Sequence, residues 1–160
     1  MPTKPKTNKH TNTYKQKKKV HIKPELVCGA LMHGDMPILR MIKKRGFCHL
    51  INKPFRWNPD EPPTTVFLIL CSHDELPVCS IEWMIRNGAD LRTKDEYGAN
   101  AMHYAVAGKC PETVCALWRT QERHWLLHEP NNDGKTAQQM IEEDNDEEEI
   151  VLQPGQIGNH

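Results

Sequence analysis

The stretch from Asn87 to Val106, NGADLRTKDEYGANAMHYAV, decides the fold. Its first glycine, Gly88, follows the apolar segment 80–86, and its second, Gly98, precedes the apolar run that starts at Ala101. Glycine is the residue preferred in the left-handed position that ends a helix. The stretch therefore predicts two helices joined by a compact turn.

The same pattern recurs elsewhere in the chain. Residues 34–46, like residues 80–90, place an apolar helical segment before polar residues and a glycine. Downstream, the turn around Gly98 recurs around Gly134, 36 residues later, and Gly46 precedes Gly88 by 42 residues. A spacing of this size indicates stacked repeats, because one short repeat cannot bury its own apolar face.

These residues resemble the ankyrin-repeat family, whose motif continues from glycine-alanine-aspartate through a turn to a histidine-bearing helix. The resemblance assigns structural roles to Gly34, Gly46, Gly88, Ala89, Asp90, Asp95, Gly98, His103, Ala105, Gly134 and Thr136. It implies an all-α solenoid of three to four helix-turn-helix repeats with β-hairpin-like fingers. The expected repeats cover about 24–57, 58–94 and 95–130, with a partial repeat at 131–143.

The helices expected within this domain alternate between two rows. First helices are expected at about 26–33, 65–72, 101–107 and 136–143, and second helices at about 36–44, 77–86 and 111–122. Departures from the family pattern make the limits of the first two repeats ambiguous: extra residues fall near 72–78. The finger at 47–64 is also long, and it carries Pro54, Pro59, Pro62 and Pro63.

Charge is balanced in the whole chain but not along it. Residues 1–23 hold eight lysines and no acid, whereas residues 142–149 hold seven acids and no base. The whole chain has 21 basic and 21 acidic residues, so its net charge is zero. We expect a disordered basic tail over 1–23, the repeat domain over 24–143 and a flexible acidic tail over 144–160. No apolar run predicts a membrane span, and no apolar segment follows the basic start as in a secretory signal.

The six cysteines, at 28, 48, 71, 79, 110 and 115, are expected to be reduced thiols in a cytoplasmic or nuclear protein. A zinc site is suggested by Cys110, Cys115, His124 and His128. However, the segment between Cys115 and His124 is shorter than a zinc finger needs, and the two cysteines point apart on a helix. We therefore predict no metal and no cofactor. His103 has a structural role by resemblance, tying adjacent repeats through backbone hydrogen bonds, so no catalytic residue is predicted.

The chain contains four tryptophans, which is unusual for a sequence with few aromatic residues. Trp83 and Trp118 lie on apolar helical patterns and are expected in the core. Phe55, Arg56 and Trp57 in the long finger, and Trp125 after the third repeat's helices, are candidate partner contacts, because exposed tryptophan beside arginine is typical of binding hot spots. The alternative is that Trp57 and Trp125 pack locally under their own loops.

Lys15, Lys17, Lys18 and Lys19 form a basic cluster with three possible roles. They can serve as a nuclear import signal, contact nucleic acid or an acidic protein, or be part of a solvated tail.

Taken together, these features predict a non-enzymatic module that binds another protein and regulates it, as a monomer or in a hetero-complex. Small ankyrin proteins of this kind resemble regulatory subunits or inhibitors of cell-cycle protein kinases, including the plutonium type, and truncated inhibitors of Rel-type transcription factors. Nucleic-acid binding through the lysine-rich tail is a further, less favoured alternative.

Overall fold

The computed structural model describes the backbone of residues 20–151 and the side chains of residues 20–146. This part of the chain is mostly helical, which confirms the predicted all-α class. Its α-helices are α1 (Pro24–Met32), α2 (Met36–Lys44), α3 (Val66–Cys71), α4 (Val78–Arg86), α5 (Ala101–Ala107), α6 (Pro111–Trp118), α7 (Arg123–His128) and α8 (Ala137–Val151). A 3-10 helix spans Cys48–Asn52, and strands β1 (Pro54–Phe55) and β2 (Thr64–Thr65) form a small antiparallel sheet.

Local sequence explains where these helices begin. The Asp35 side chain caps α2 by accepting a hydrogen bond from the Ile38 amide at 3.1 Å. At α5, Asn100 Oδ1 accepts from the Met102 and His103 amides, and His103 Nδ1 accepts from the Asn100 amide in return. Such reciprocal caps satisfy amides that have no partner within the helix.

The helices pack so that chain order matches spatial order. Helix α1 contacts α3, α3 contacts α5 and α5 contacts α8, while α4 contacts α6 in a second row. One apolar core runs through both rows, and its largest fully buried side chains include Leu31, Leu39, Ile42, Phe67, Leu68, Leu70, Ile81, Met84, Met102, Leu117 and Leu126. Burial of each such side chain contributes about 1.5–3 kcal/mol to stability, so this core is the main force that holds the helices together.

The predicted glycine turns are present in the structure. All five of the glycines at 34, 46, 88, 98 and 134 have positive φ, between 62° and 95°. The turn between α5 and α6 differs from the one between α1 and α2, because Lys109 (φ 54°) stands where Gly34 stands in the earlier turn. A left-handed conformation costs an L-residue about 1–2 kcal/mol, so this turn is locally strained.

Several boundaries differ from the sequence-based expectation. The α3–α4 connection covers 72–77, longer than the connections at 33–35 and 108–110, which accounts for the extra residues expected there. Helix α6 ends at Trp118 rather than near 122, and α7 was not predicted. Ile22 is already buried in the core, within the segment expected to be a disordered tail. At the other end, α8 continues to Val151, past the expected domain limit at 143.

The assignment of Trp118 to the core was wrong. Its side chain is 46% exposed, whereas Trp83 is buried as predicted. The buried residues of α6 are Thr113, Ala116 and Leu117. Trp118 lies one position beyond Leu117, and this step turns it about 100° away from the core-facing side.

Between residues 20 and 151, no helix combines the length and the apolar character that crossing a bilayer requires.

Candidate protein-binding surface

The long finger is a hairpin with a self-braced loop. Strands β1 and β2 pair Pro54 with Thr65 and Phe55 with Thr64, which leaves residues 56–63 as the hairpin loop. Within this loop, Arg56 Nη1 donates hydrogen bonds to the carbonyl oxygens of Pro59, at 3.0 Å, and Glu61, at 2.8 Å. The Glu61 amide also donates to the Asn58 carbonyl at 3.1 Å. These bonds join the two sides of the loop, so Arg56 stabilises the conformation of the loop.

The three residues predicted as a contact cluster have different roles in this hairpin. Phe55 is only 9% exposed and belongs to the core, whereas Trp57 is 53% exposed. Their rings meet edge to face, with centroids 5.9 Å apart and planes at 80°. Phe55 therefore anchors the loop, Arg56 braces it and Trp57 presents an apolar surface to solvent.

Trp125 lies in a different environment, on α7. Its ring is half-buried beneath two cations, with Arg92 Cζ 5.4 Å and Lys94 Nζ 5.9 Å from the ring centroid. Arg92 also pairs with Glu122 at 2.8 Å, and Lys94 with Glu129 at 2.6 Å. Trp125 therefore joins α7 to the segment before Gly98, and less of its ring is free for a partner.

Two turns after the second and third helix pairs have the same hydrogen-bond pattern. In the Asp95 turn (residues 95–99), Asp95 Oδ1 accepts from the amides of Tyr97 and Ala99, at 3.0 and 2.8 Å. In the Asn131 turn (residues 131–135), Asn131 Oδ1 accepts from the amides of Asp133 and Lys135, both at 3.0 Å. The backbone bonds that close these turns also match, from Gly98 to the Asp95 carbonyl and from Gly134 to the Asn131 carbonyl.

The two turns stack directly on each other. The Asn132 amide and its side-chain Nδ2 donate to the carbonyls of Tyr97 and Glu96, both at 2.9 Å. A Cβ on Gly98 would lie 2.5 Å from Asn132 Oδ1 and 2.9 Å from the Asn132 nitrogen. The stack therefore has room only for glycine at position 98.

His103 links α5 to the Asn131 turn. The side chain is 3% exposed, its Nδ1 accepts from the Asn100 amide, and its Nε2 donates to the Lys135 carbonyl at 3.0 Å. Asn100 Nδ2 donates to the Leu126 carbonyl at 3.0 Å and adds a second link to the same part of the chain. Both ring nitrogens of His103 are occupied by backbone groups.

The three buried cysteines are unreactive thiols. All six cysteines are free thiols, and burial raises the pKa of Cys28 to about 11, with a smaller contribution from the charge of Glu25. Burial also raises the pKa of Cys71 and Cys110. A raised pKa keeps a thiol protonated and unreactive at neutral pH.

The four residues that the sequence suggested as zinc ligands do not form a metal site. Cys110 is buried before α6 and Cys115 is exposed on it, while the His124 and His128 rings stack with centroids 4.4 Å apart. Among the described residues there is no group of three or more histidine, cysteine or acidic side chains that could hold a metal ion.

The structure also shows an arrangement that sequence reasoning missed. A cleft lies between the hairpin loop and the Asp95 turn, lined by Glu61, Pro62, Pro63, Thr64, Asp95, Glu96, Tyr97 and Tyr104. Its two walls are more than 30 residues apart in the chain, so no local pattern signals it. The proposed import residues Lys15, Lys17, Lys18 and Lys19 lie outside the described residues.

No protein-family model and no curated protein matches this chain.

Proposed function

We propose that the chain is a small ankyrin-type repeat protein that binds another protein and regulates it, without catalysing a reaction. Three observations support the repeat architecture. The Asp95 and Asn131 turns have the same bonding pattern 36 residues apart, five glycines adopt left-handed conformations, and the helices contact one another in chain order in two rows. Stacked repeats of this kind have extended surfaces suited to binding proteins.

Trp57 is the observation that carries the binding function. A large aromatic ring that is half exposed, on a loop already held in one shape by Arg56, loses little conformational entropy when a partner covers it. Tryptophan is also the residue most enriched among binding hot spots. The hairpin loop is therefore the best candidate for the centre of the partner interface, with Trp57 as its main contact.

Within this function, the resemblance to small ankyrin proteins favours first a regulatory subunit or inhibitor of a cell-cycle protein kinase. An inhibitor of a Rel-type transcription factor is the alternative. The identity of a partner captured through Trp57 distinguishes these two classes.

The test compares two exposed tryptophans. Full-length protein is used to capture partners from cell extract, with Trp57→Ala as the test variant and Trp118→Ala as the matched control. We expect Trp57→Ala to weaken capture of the principal partner by about 2 kcal/mol, a thirtyfold loss in affinity. Trp118→Ala should retain the partner, because Trp118 lies on α6 and not on the hairpin loop.

Circular dichroism shows whether both variants keep the wild-type helicity. A folded Trp57→Ala protein that binds its partner with unchanged affinity would contradict the proposed interface.

A further inference from the structure

The cleft between the hairpin loop and the Asp95 turn has a volume of about 320 Å³. It opens beside Tyr97, whose ring is 61% exposed, and its other wall contains Pro62 and Pro63 of the hairpin loop. The same loop carries Trp57, so the cleft adjoins the proposed binding surface. Its size and aromatic rim suit one long side chain of a bound segment.

The cleft contains carboxylates that form no salt bridge in the described structure. Glu61 and Glu96 are exposed, and neither forms a salt bridge within the described part of the chain. Arg56 forms no salt bridge with either glutamate, because its guanidinium donates to the carbonyls of Pro59 and Glu61, although its positive charge stays near Glu61. Asp95 adds a third carboxylate, although its oxygens already accept from two amides and from the Tyr104 hydroxyl, at 2.8 Å.

Both phenols in the cleft respond to this charge. Interaction with the Glu96 carboxylate, followed by the charges of the other carboxylates nearby, raises the pKa of Tyr97. Burial, followed by the hydrogen bond to Asp95, raises the pKa of Tyr104. Glu61 adds to both effects, so the two walls share one negative potential.

The cleft also holds a buried hydroxyl without a hydrogen-bond partner. Thr64 Oγ1 is inaccessible to solvent and makes no hydrogen bond in the described structure. Tyr104 is close enough for the Thr64 hydroxyl to lower its pKa slightly, but the two groups do not meet hydrogen-bond geometry, and the phenol donates to Asp95 instead. A buried hydroxyl without a partner costs free energy, but because Oγ1 is closed to solvent it offers no contact to a molecule in the cleft.

We propose that this cleft binds a lysine or arginine side chain of the protein partner. The cation lies between the Glu61 and Glu96 carboxylates, and the aliphatic stem packs against Pro62 and the Tyr97 ring. Cations bind favourably over aromatic faces, and long basic side chains bury their stems along apolar surfaces. This inference rests on the proposed function and specifies the chemistry of the partner that the hairpin loop recognises.

The first test uses a defined probe. A short capped peptide with one central arginine is titrated into isotope-labelled full-length protein, and the same peptide with citrulline, the neutral isostere, serves as the control. We expect the arginine peptide to shift the amide resonances of Glu61, Thr64, Glu96 and Tyr97 in a saturable way. Citrulline should leave them unchanged.

A double variant then tests the carboxylates. Glu61→Gln with Glu96→Gln should weaken arginine-peptide binding about fivefold or more, because it removes two surface charge contacts. Glu75→Gln, which removes an exposed charge away from the cleft, should have no effect. Equal binding of the citrulline peptide, shifts confined to the acidic residues 142–146, or unchanged binding by the double variant would each overturn the proposal.

The partner captured by the wild-type protein separates this inference from the proposed function. Loss of the partner by Trp57→Ala together with full retention by the double variant would reject the cleft alone. Retention by Trp57→Ala would reject the interface on which the inference depends. The account as a whole predicts that both variants lose affinity, with the loss in the double variant growing as ionic strength falls.

Discussion

The region from Asp90 to Thr136 and the hairpin at 54–65 stabilise their shapes in opposite ways. In the first region, hydrogen bonds join residues some 30 positions apart, as in the bonds of His103 to Lys135 and of Asn132 to Glu96. In the hairpin loop, the bonds of Arg56 and Asn58 stay within a few residues. One region therefore depends on its neighbours for its structure, whereas the other is a self-contained loop that displays an exposed tryptophan.

Because of this difference, substitutions between Asp90 and Thr136 should affect stability, whereas substitutions in the hairpin loop should affect binding. Changes in the stacked turns disturb two parts of the chain at once, so they should lower the free energy of unfolding. Changes at the tip of the hairpin loop should leave that free energy almost unchanged. Substitutions at the stacked residues, each paired with a control residue that makes no stacking contact, measure this dependence.

The largest effect is expected for Gly98→Ala, with Gly46→Ala as its control. The two glycines have nearly equal φ, 74° and 77°, but a Cβ at Gly98 would meet the Asn132 backbone, whereas a Cβ at Gly46 meets nothing within 4 Å. Gly46→Ala should cost about 1–2 kcal/mol, the cost of a left-handed conformation. Gly98→Ala should cost about 3 kcal/mol or more, because the stacked turns must also separate.

Urea unfolding of both variants measures this difference. Equal losses of stability would mean that the Asp95 and Asn131 turns do not stack as described.

An intermediate effect is expected for His103→Ala, with His128→Ala as its control. Removing His103 leaves the Asn100 amide and the Lys135 carbonyl without their partner in a buried site, at a cost of about 1–3 kcal/mol. His128 is exposed and bonds only within its own helix, to His124, so its loss should change stability by less than about 0.5 kcal/mol. Thermal unfolding in the reverse order would contradict the structural role of His103.

The smallest effect is expected for Lys109→Gly, and it has the opposite sign. Relief of the left-handed strain at Lys109 outweighs the added backbone entropy of glycine by about 0.5 kcal/mol, so the variant should be slightly more stable. Lys109→Ala keeps the strain and removes only the exposed side chain, so it should show no gain. A gain in both variants would assign the effect to the lysine side chain instead of the backbone.

The sequence allowed the helical class and the glycine turns to be predicted, because both depend on local chemistry. The glycines at 34, 98 and 134 are readable from short stretches. Helix α7 was missed because its six residues carry no side-chain cap and follow α6 after a connection of only four residues. Trp118 was misplaced because a helical stripe defines a face only to within about one residue.

The candidate site was only partly predictable for the same reason. Composition pointed to Trp57, but the sequence did not show that Phe55 is buried or that Arg56 braces the loop. The cleft forms because packing places Glu61 of the hairpin loop and Glu96 of the Asp95 turn on its two walls. No local motif indicates this arrangement.

Hydrogen exchange with and without the captured partner tests directly whether the hairpin loop and the Asp95 turn form the binding surface. The account predicts that partner binding slows exchange in the hairpin loop at 56–63 and in the Asp95 turn. Exchange in the Asn131 turn and at the start of α8 should be unchanged, because neither segment lines the cleft or belongs to the hairpin loop. Protection confined to α6, α7 or α8, with no change at 56–63, would contradict it.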